Sequence, residues 1–373
     1  MRMDLEEFGE AEAAFRAFAA EHVAPHAAAI DREERLPPEV IAALATAGYF
    51  ASGFDLGDDP VGATIKHGLM HEAIGYASAS LQGLLNVHTM GGMPIARWGS
   101  REQKEHWLPL LKSGEAMATI AITEPNVGSD AASVETTATR DGDDYVINGT
   151  KRWITCGQIA DVFMVLARGS IAFIVPRKTE GLTVVPIKGI HGCRGFMLGE
   201  LRFENCRVPA DAMLGRPGFG FTHVASTGLD AGRYNLAWGC VGLARACLDA
   251  SFDYTRTRRQ FGTALSEFQL VQQKITRMMT DIEAARLLCF RAGTLRGRRD
   301  PSAIKTSAMA KYFASTMVNR VAQDAVQLHG ANGIGPDLPL ERYLRDARIM
   351  EIIEGSTQIL EVAIARYGYQ ERG

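Results

Sequence analysis

Apolar residues recur at helical spacing over residues 7–30, and Pro37-Pro38 opens a short helix over 39–47. Further helical pieces are read at 62–83 and 101–112, with Gly91-Gly92 and Pro94 punctuating the path between them. Near Met117 the texture changes to short runs of apolar and β-branched residues bounded by turn signals. Residues 117–122, 134–140, 145–147, 161–167, 172–175, 182–187 and 200–203 read as strands, with a hairpin across Asp141-Gly142. After Gly220 the helical period returns over 230–256, 267–295 and 304–328 without internal proline, which implies a bundle. The expected architecture is α+β: a helical N-terminal domain over 1–117, a central β-domain over 118–224 and a helical bundle over 225–373.

A chain of 373 residues is long enough for more than one packed core. Its net charge of −3 offers no bulk attraction to nucleic acid or to a membrane surface. The start, Met1-Arg2-Met3-Asp4-Leu5-Glu6-Glu7, is acidic where a secretion signal is basic and then apolar. No uninterrupted apolar run approaches the roughly 18 residues a bilayer span requires. The six cysteines form no Cys-x-x-Cys pair, so reduced thiols and a cytoplasmic location are expected. Nucleotide-binding Gly-x-Gly-x-x-Gly, Gly-x-Ser-x-Gly and P-loop motifs are absent from the sequence. His67 and His71 have the spacing of a helical metal pair, but no further ligand cluster accompanies them and no metal is expected.

Several segments could carry chemistry. Thr123-Glu124-Pro125-Asn126-Val127-Gly128-Ser129-Asp130 reads as a polar turn with free N–H groups and hydroxyls, or as an ordinary loop. In Asn148-Gly149-Thr150-Lys151-Arg152-Trp153-Ile154-Thr155 the indole of Trp153 is either a stacking platform beside the Thr155 hydroxyl or plain core. Arg258-Arg259-Gln260-Phe261-Gly262 can grip a pyrophosphate or form a solvated turn. The glycine-rich end of the helix at Gln327-Leu328-His329-Gly330 allows close approach of a ligand or caps the helix. Glu354 stands between the apolar run Ile352-Ile353 and a Gly355-Ser356-Thr357 turn that would cap a final helix. A carboxylate against apolar neighbours gains basicity, which suits a general base.

In order and spacing together, Thr-Glu-Pro-x-x-Gly-Ser-Asp from 123, Asn-Gly-x-Lys-x-Trp-Ile-Thr from 148, Arg-x-x-Phe-Gly from 258, Gln-x-x-Gly-x-x-Gly from 327 and Glu-Gly-x-x-Gln-Ile from 354 resemble the acyl-CoA dehydrogenase family. The resemblance implies a helical N-domain, a β-domain and a C-terminal four-helix bundle, assembled as a homotetramer or dimer around FAD. It implies that Thr123, Ser129, Trp153 and Thr155 contact the flavin part. Arg258, Phe261, Gln269, Gln327 and Gly330 would hold the diphosphate-adenosine part, some across a subunit interface, and Thr357 and Gln358 lie in a turn the family also uses. Glu354 matches the usual catalytic base, and the alternative base position of some members is Gly232 here. Asp230, Arg233 and Ser129 would flank the thioester.

No Lys or Arg occurs between His67 and Pro94, where glutaryl-type members place a basic residue, so decarboxylating chemistry is not implied. Ala237-Trp238-Gly239-Cys240-Val241-Gly242 and Gly192-Cys193-Arg194 look like the acyl-carrier-protein-linked dehydrogenases of polyketide extender-unit biosynthesis. The implied function is dehydrogenation of a carrier-tethered acyl thioester, with electrons passing to a transfer partner or to oxygen. The alternatives are a catabolic short-chain acyl-CoA dehydrogenase, oxidation of a hydroxyacyl or glyceryl alcohol on the carrier, and a non-catalytic flavin-binding scaffold.

Overall fold

The computed structural model describes residues 5–371. Helices α1 (Gly9–His22), α2 (Ala27–Glu33), α3 (Pro38–Thr46), α4 (Pro60–Ala77), α5 (Ala79–Trp98) and α6 (Arg101–Ser113) precede the strands. Ser78 separates α4 from α5 by leaving helical geometry and accepting a hydrogen bond from Leu81 N. Sequence pattern had pointed to a break at Gly91-Gly92 and Pro94, yet α5 runs through all three. A Cβ on Gly91 would lie 2.8 Å from Thr119 N, and one on Gly92 would meet the Phe54 ring. These glycines let α5 press against its neighbours.

Seven strands follow: β1 (Ala118–Ala121), β2 (Thr137–Asp141), β3 (Asp144–Ile154), β4 (Val162–Ala167), β5 (Ile171–Pro176), β6 (Leu182–Pro186) and β7 (Gly199–Pro209). They form two sheets, ordered β1-β4-β5 and β2-β3-β7-β6, and β1 pairs with β4 in parallel. Phe163, Val165 and Phe173 from the first sheet share a core with Ile147, Leu201 and Phe203 from the second. The other face of the first sheet, with Val162, Met164 and Ile174, packs with Ile95 of α5 and Leu111 of α6. Alternate strand residues thus serve two cores, and the β-domain is fixed to the N-terminal helices.

The bundle comprises α7 (Ser226–Thr257), α8 (Gln269–Gly297), α9 (Ala303–His329) and α12 (Thr357–Gln370), with the short α10 (Ala331–Ile334) and α11 (Leu340–Met350) between the last two. A two-strand hairpin, β8 (Arg259–Gln260) and β9 (Thr263–Ala264), joins α7 to α8. Helix α7 is the hub, packing against α4, α5, α8 and α9. Backbones of α4 and α7 nearly touch: a Cβ on Gly75 would sit 2.6 Å from Gly239 O. All six cysteines are buried free thiols. Among the described residues no helix is long and apolar enough to cross a membrane.

Candidate active site

The chain reverses between α11 and α12 by placing Glu354 and Gly355 in left-handed backbone geometry, with φ of 58° and 92°. For a residue with a Cβ this conformation costs roughly 1–2 kcal/mol, so other contacts must hold it. Arg233 Nε of α7 donates to Glu354 O at 3.2 Å, and Lys311 Nζ of α9 donates to Gly355 O at 2.8 Å. Ser356 caps α12 by accepting from Ile359 N, as the Gly-Ser-Thr sequence led us to expect.

Two helices thereby aim the Glu354 side chain into the space between α5 and α7. Its Oε1 accepts from Asn86 Nδ2 at a long 3.3 Å, while its buried Oε2 has no partner. Gly232 makes the room: a Cβ there would lie 2.6 Å from Glu354 Oε2 and 2.7 Å from Met90 Sδ. Burial pushes the Glu354 carboxyl up to about 7, against the opposing pull of Arg233, Lys311 and the Asn86 hydrogen bond. Burial also lowers the Lys311 amine to about 8. The Glu354 carboxyl is thus raised toward neutrality and keeps one oxygen without a hydrogen-bond partner.

One turn from Arg233 on the same helix, Asp230 Oδ2 accepts from Arg296 Nη1 at 2.5 Å, and its Oδ1 is buried without a partner. The structure therefore gathers Glu354, Arg233 and Asp230 at the start of α7.

A second group lies across α5. Thr119 Oγ1 of β1, adjacent to Gly91, donates to Thr155 O at 2.8 Å, and Arg152 N donates to Thr123 O at 2.8 Å. Register shifts between Lys151 and Ile154, and Trp153 has a φ of 63°. That irregularity turns the indole outward, leaving Trp153 49% exposed. The Trp153 ring is thus exposed and not core, and Thr123 and Thr155 near it are half-buried. Ser129 lies on the exposed turn nearby in sequence. In the same motif Glu124 faces inward, accepting from Lys151 Nζ at 2.7 Å with both groups buried.

The third group sits at the opposite end of the bundle. Arg258 ends α7, Phe261 occupies the hairpin tip at 95% exposure, and Gln269 begins α8. Gln327 and Gly330 end α9 beside them, where Tyr254 and His329 stack with centroids 4.3 Å apart. From Arg233 to Arg258 the helix advances about 37 Å, at about 1.5 Å per residue. A single chain therefore keeps this group far from Glu354. Thr357 and Gln358 open α12 beside Glu354, and Thr357 Oγ1 is buried without a partner.

Three contributors escaped sequence reasoning: Asn86, Met90 and Lys311. Asn86 was detectable as a polar residue inside an apolar helical run, one turn beyond Gln82. Lys311 carried only the weaker signal of a lysine among alanines and serines on a core-facing helix.

Family profiles for the acyl-CoA dehydrogenase N-terminal, middle and C-terminal domains match residues 6–115, 119–206 and 218–368. The probable acyl-CoA dehydrogenase FadE25 of Mycobacterium tuberculosis is 39% identical over 370 residues, covering 97% of this chain and 95% of that one. Butyryl-CoA dehydrogenase from Megasphaera elsdenii superposes with a TM-score of 0.93 at 31% identity, covering 98% of this chain and 99% of that one. The prolyl acyl carrier protein oxidase AnaB superposes with a TM-score of 0.91 at 29% identity, over 98% and 99% of the two chains.

Proposed function

Since this chain belongs to the acyl-CoA dehydrogenase family, whose members are FAD-dependent oxidoreductases acting on CH–CH groups, we propose that Glu354 is the base that removes the α-proton of its acyl thioester substrate. The observation that carries this assignment is the uncommitted Glu354 Oε2, buried in the gap left by Gly232. A thioester α-proton is weakly acidic, so a base near neutrality must meet it in a dry, fixed geometry. Arg233 and Lys311 supply that geometry by gripping the backbone on either side of the peptide that carries the base. Retention of this arrangement argues against a non-catalytic scaffold.

The residues present fit the cofactor. The outward Trp153 ring, the Thr123 and Thr155 pair and the unpartnered Thr357 Oγ1 are the flat surface and hydroxyls a flavin needs. Arg258, Phe261, Gln269, Gln327 and Gly330 would hold the diphosphate-adenosine part. Their separation from Glu354 along α7 favours a homo-oligomer in which each chain lends this end to a neighbour's site. When bound, FAD accepts the hydride that leaves the substrate β-carbon.

A carrier-protein thioester is our preferred substrate over a free CoA ester, supported by the likeness to AnaB together with the Ala237-Trp238-Gly239 motif. Anaerobic flavin absorbance, with the holoenzyme challenged by acyl-CoAs and by acyl-loaded carrier proteins, tests both levels. Bleaching by carrier-bound thioesters alone supports this reading; bleaching by free short acyl-CoAs returns the protein to the catabolic one. Bleaching that persists at a normal rate in Glu354→Gln would remove Glu354 from the mechanism.

A further inference from the structure

The interior beside Glu354 is unusually polar for a surface formed by packed helices. His71 of α4, Gln82 and Asn86 of α5, and Asn235 of α7 are each 2% exposed or less, among apolar neighbours such as Leu69, Leu81, Leu85 and Leu236. They fall into two hydrogen-bonded groups, one turn of α5 apart. Asn86 Nδ2 donates to Glu354 Oε1 at 3.3 Å. Four residues earlier, about 6 Å along the helix, Gln82 Nε2 reaches Asn235 O at 3.2 Å and His71 Nδ1 at 3.3 Å. Asn235 Oδ1 in turn meets His67 Nε2 at 3.0 Å, and His67 Nδ1 meets Ser52 Oγ at 2.8 Å.

Both groups are incompletely satisfied. Asn86 Oδ1, Gln82 Oε1, Asn235 Nδ2 and His71 Nε2 are all buried without a hydrogen-bond partner, as is Glu354 Oε2 itself. Leaving a buried polar group unmatched costs about 1–3 kcal/mol, whereas an apolar side chain of similar shape at Gln82 or Asn86 would cost nothing of the kind. Four such atoms, both donors and acceptors, stand at and one turn beyond Asn86, where α4, α5 and α7 meet, and a polar ligand group reaching past the base would complete their hydrogen bonds. Burial keeps both His67 and His71 well below their ordinary range, so both rings are neutral. The two groups therefore offer no cation to a second carboxylate.

We propose that the acyl pocket selects a short acyl group bearing a neutral hydrogen-bonding substituent, a hydroxyl or amide, beyond the β-carbon, and discriminates against plain alkyl chains. This rests on the dehydrogenase reading above. With the α-carbon at Glu354, Asn86 would lie alongside the β-carbon, and Gln82, about 6 Å further on, would stand about a hydrogen bond's length beyond a group at the δ position. A pocket that must hydrogen-bond its ligand rejects the analogue that lacks the polar group far more strongly than an apolar pocket rejects an extra hydroxyl.

The test compares 4-hydroxybutyryl and valeryl thioesters, which differ by a hydroxyl in place of a methyl, each loaded on CoA and on a carrier protein. In the holoenzyme, kcat/KM for flavin reduction is expected to favour the hydroxyl compound by about 10²-fold or more. Gln82→Met, close to glutamine in shape, should cut that ratio at least tenfold, mainly by raising the rate with valeryl thioester. Equal rates for the two compounds, or a ratio unmoved by Gln82→Met, would overturn the polar pocket while leaving the dehydrogenase intact; ordered water would then be what meets these atoms. No flavin reduction by either compound or by any saturated acyl thioester of three to eight carbons would instead bring down the dehydrogenase reading, and this inference with it.

Discussion

Two glutamates withdrawn from solvent are each served by a buried lysine, and the chain treats them in opposite ways. In the β-domain, Glu124 accepts directly from Lys151 Nζ, from Thr136 N at 2.9 Å, from Thr136 Oγ1 at 2.6 Å and from Glu135 N at 2.5 Å. Burial works against its ionisation, but these donors win and hold it below the usual carboxylate range. At Glu354 the lysine is nearby yet spends its hydrogen bond on the backbone carbonyl of Gly355. The carboxylate keeps one long bond from Asn86 and is pushed up to about 7 by burial. Residue type does not separate the two carboxyls; the atom to which the lysine donates does.

The contrast is broken most directly by neutralising each carboxylate. Glu354→Gln should reduce turnover by about 10²–10⁴-fold while the flavin stays bound, read by stopped-flow absorbance. Glu124→Gln should do the reverse, leaving Lys151 buried without its counter-charge and destabilising the fold by about 3–5 kcal/mol in a denaturant titration. Comparable loss of stability in both variants would erase the distinction. Thermal melts sharpen it further. A carboxyl raised in the folded state favours folding at low pH and loses that contribution as pH rises from its ordinary value through about 7. Glu354→Gln should therefore gain in Tm relative to the parent between pH 5 and pH 8, a trend Glu124→Gln should not show.

Gly232→Ala places a methyl within 2.6 Å of Glu354 Oε2, and displacement of the base should lower kcat by about 10²-fold with little change in substrate binding. The smallest expected effect is on pH dependence. The Lys311 charge pulls Glu354 downward, so Lys311→Met should move the acid limb of kcat/KM to higher pH, with a several-fold loss at pH 6 and none at pH 9. A uniform loss at every pH would mean that Lys311 acts only through its hydrogen bond to Gly355.

Much of this was legible from pattern. The change from helical to strand texture and back marks the three regions, whereas Glu354 was singled out by the resemblance of Glu-Gly-x-x-Gln-Ile to the family, its place before a Gly-Ser-Thr cap being a weak signal alone. What pattern could not reveal were contacts that depend on two distant backbones. Gly91 and Gly92 read as breakers because their benefit lies in the approach of Thr119 and Phe54. Glu124 read as part of an open turn, although Lys151, 27 residues later, draws it inward. Asn86 acquires its meaning only from Glu354, 268 residues away. Trp153 divided between core and platform until the irregularity of β3 settled which way the ring turns.

The distribution of thiols has a practical consequence. Cys156 and Cys206 lie on or beside the β-domain strands, while Cys240, Cys247 and Cys289 lie in α7 and α8, all buried and with their thiols raised by burial. The folded chain should be silent toward alkylating reagents, and each cysteine should become reactive only when its own neighbourhood opens. The protein thus carries a built-in clock for each half of the molecule: mass spectrometry of timed labelling would report whether the β-domain or the bundle opens first, without any added probe.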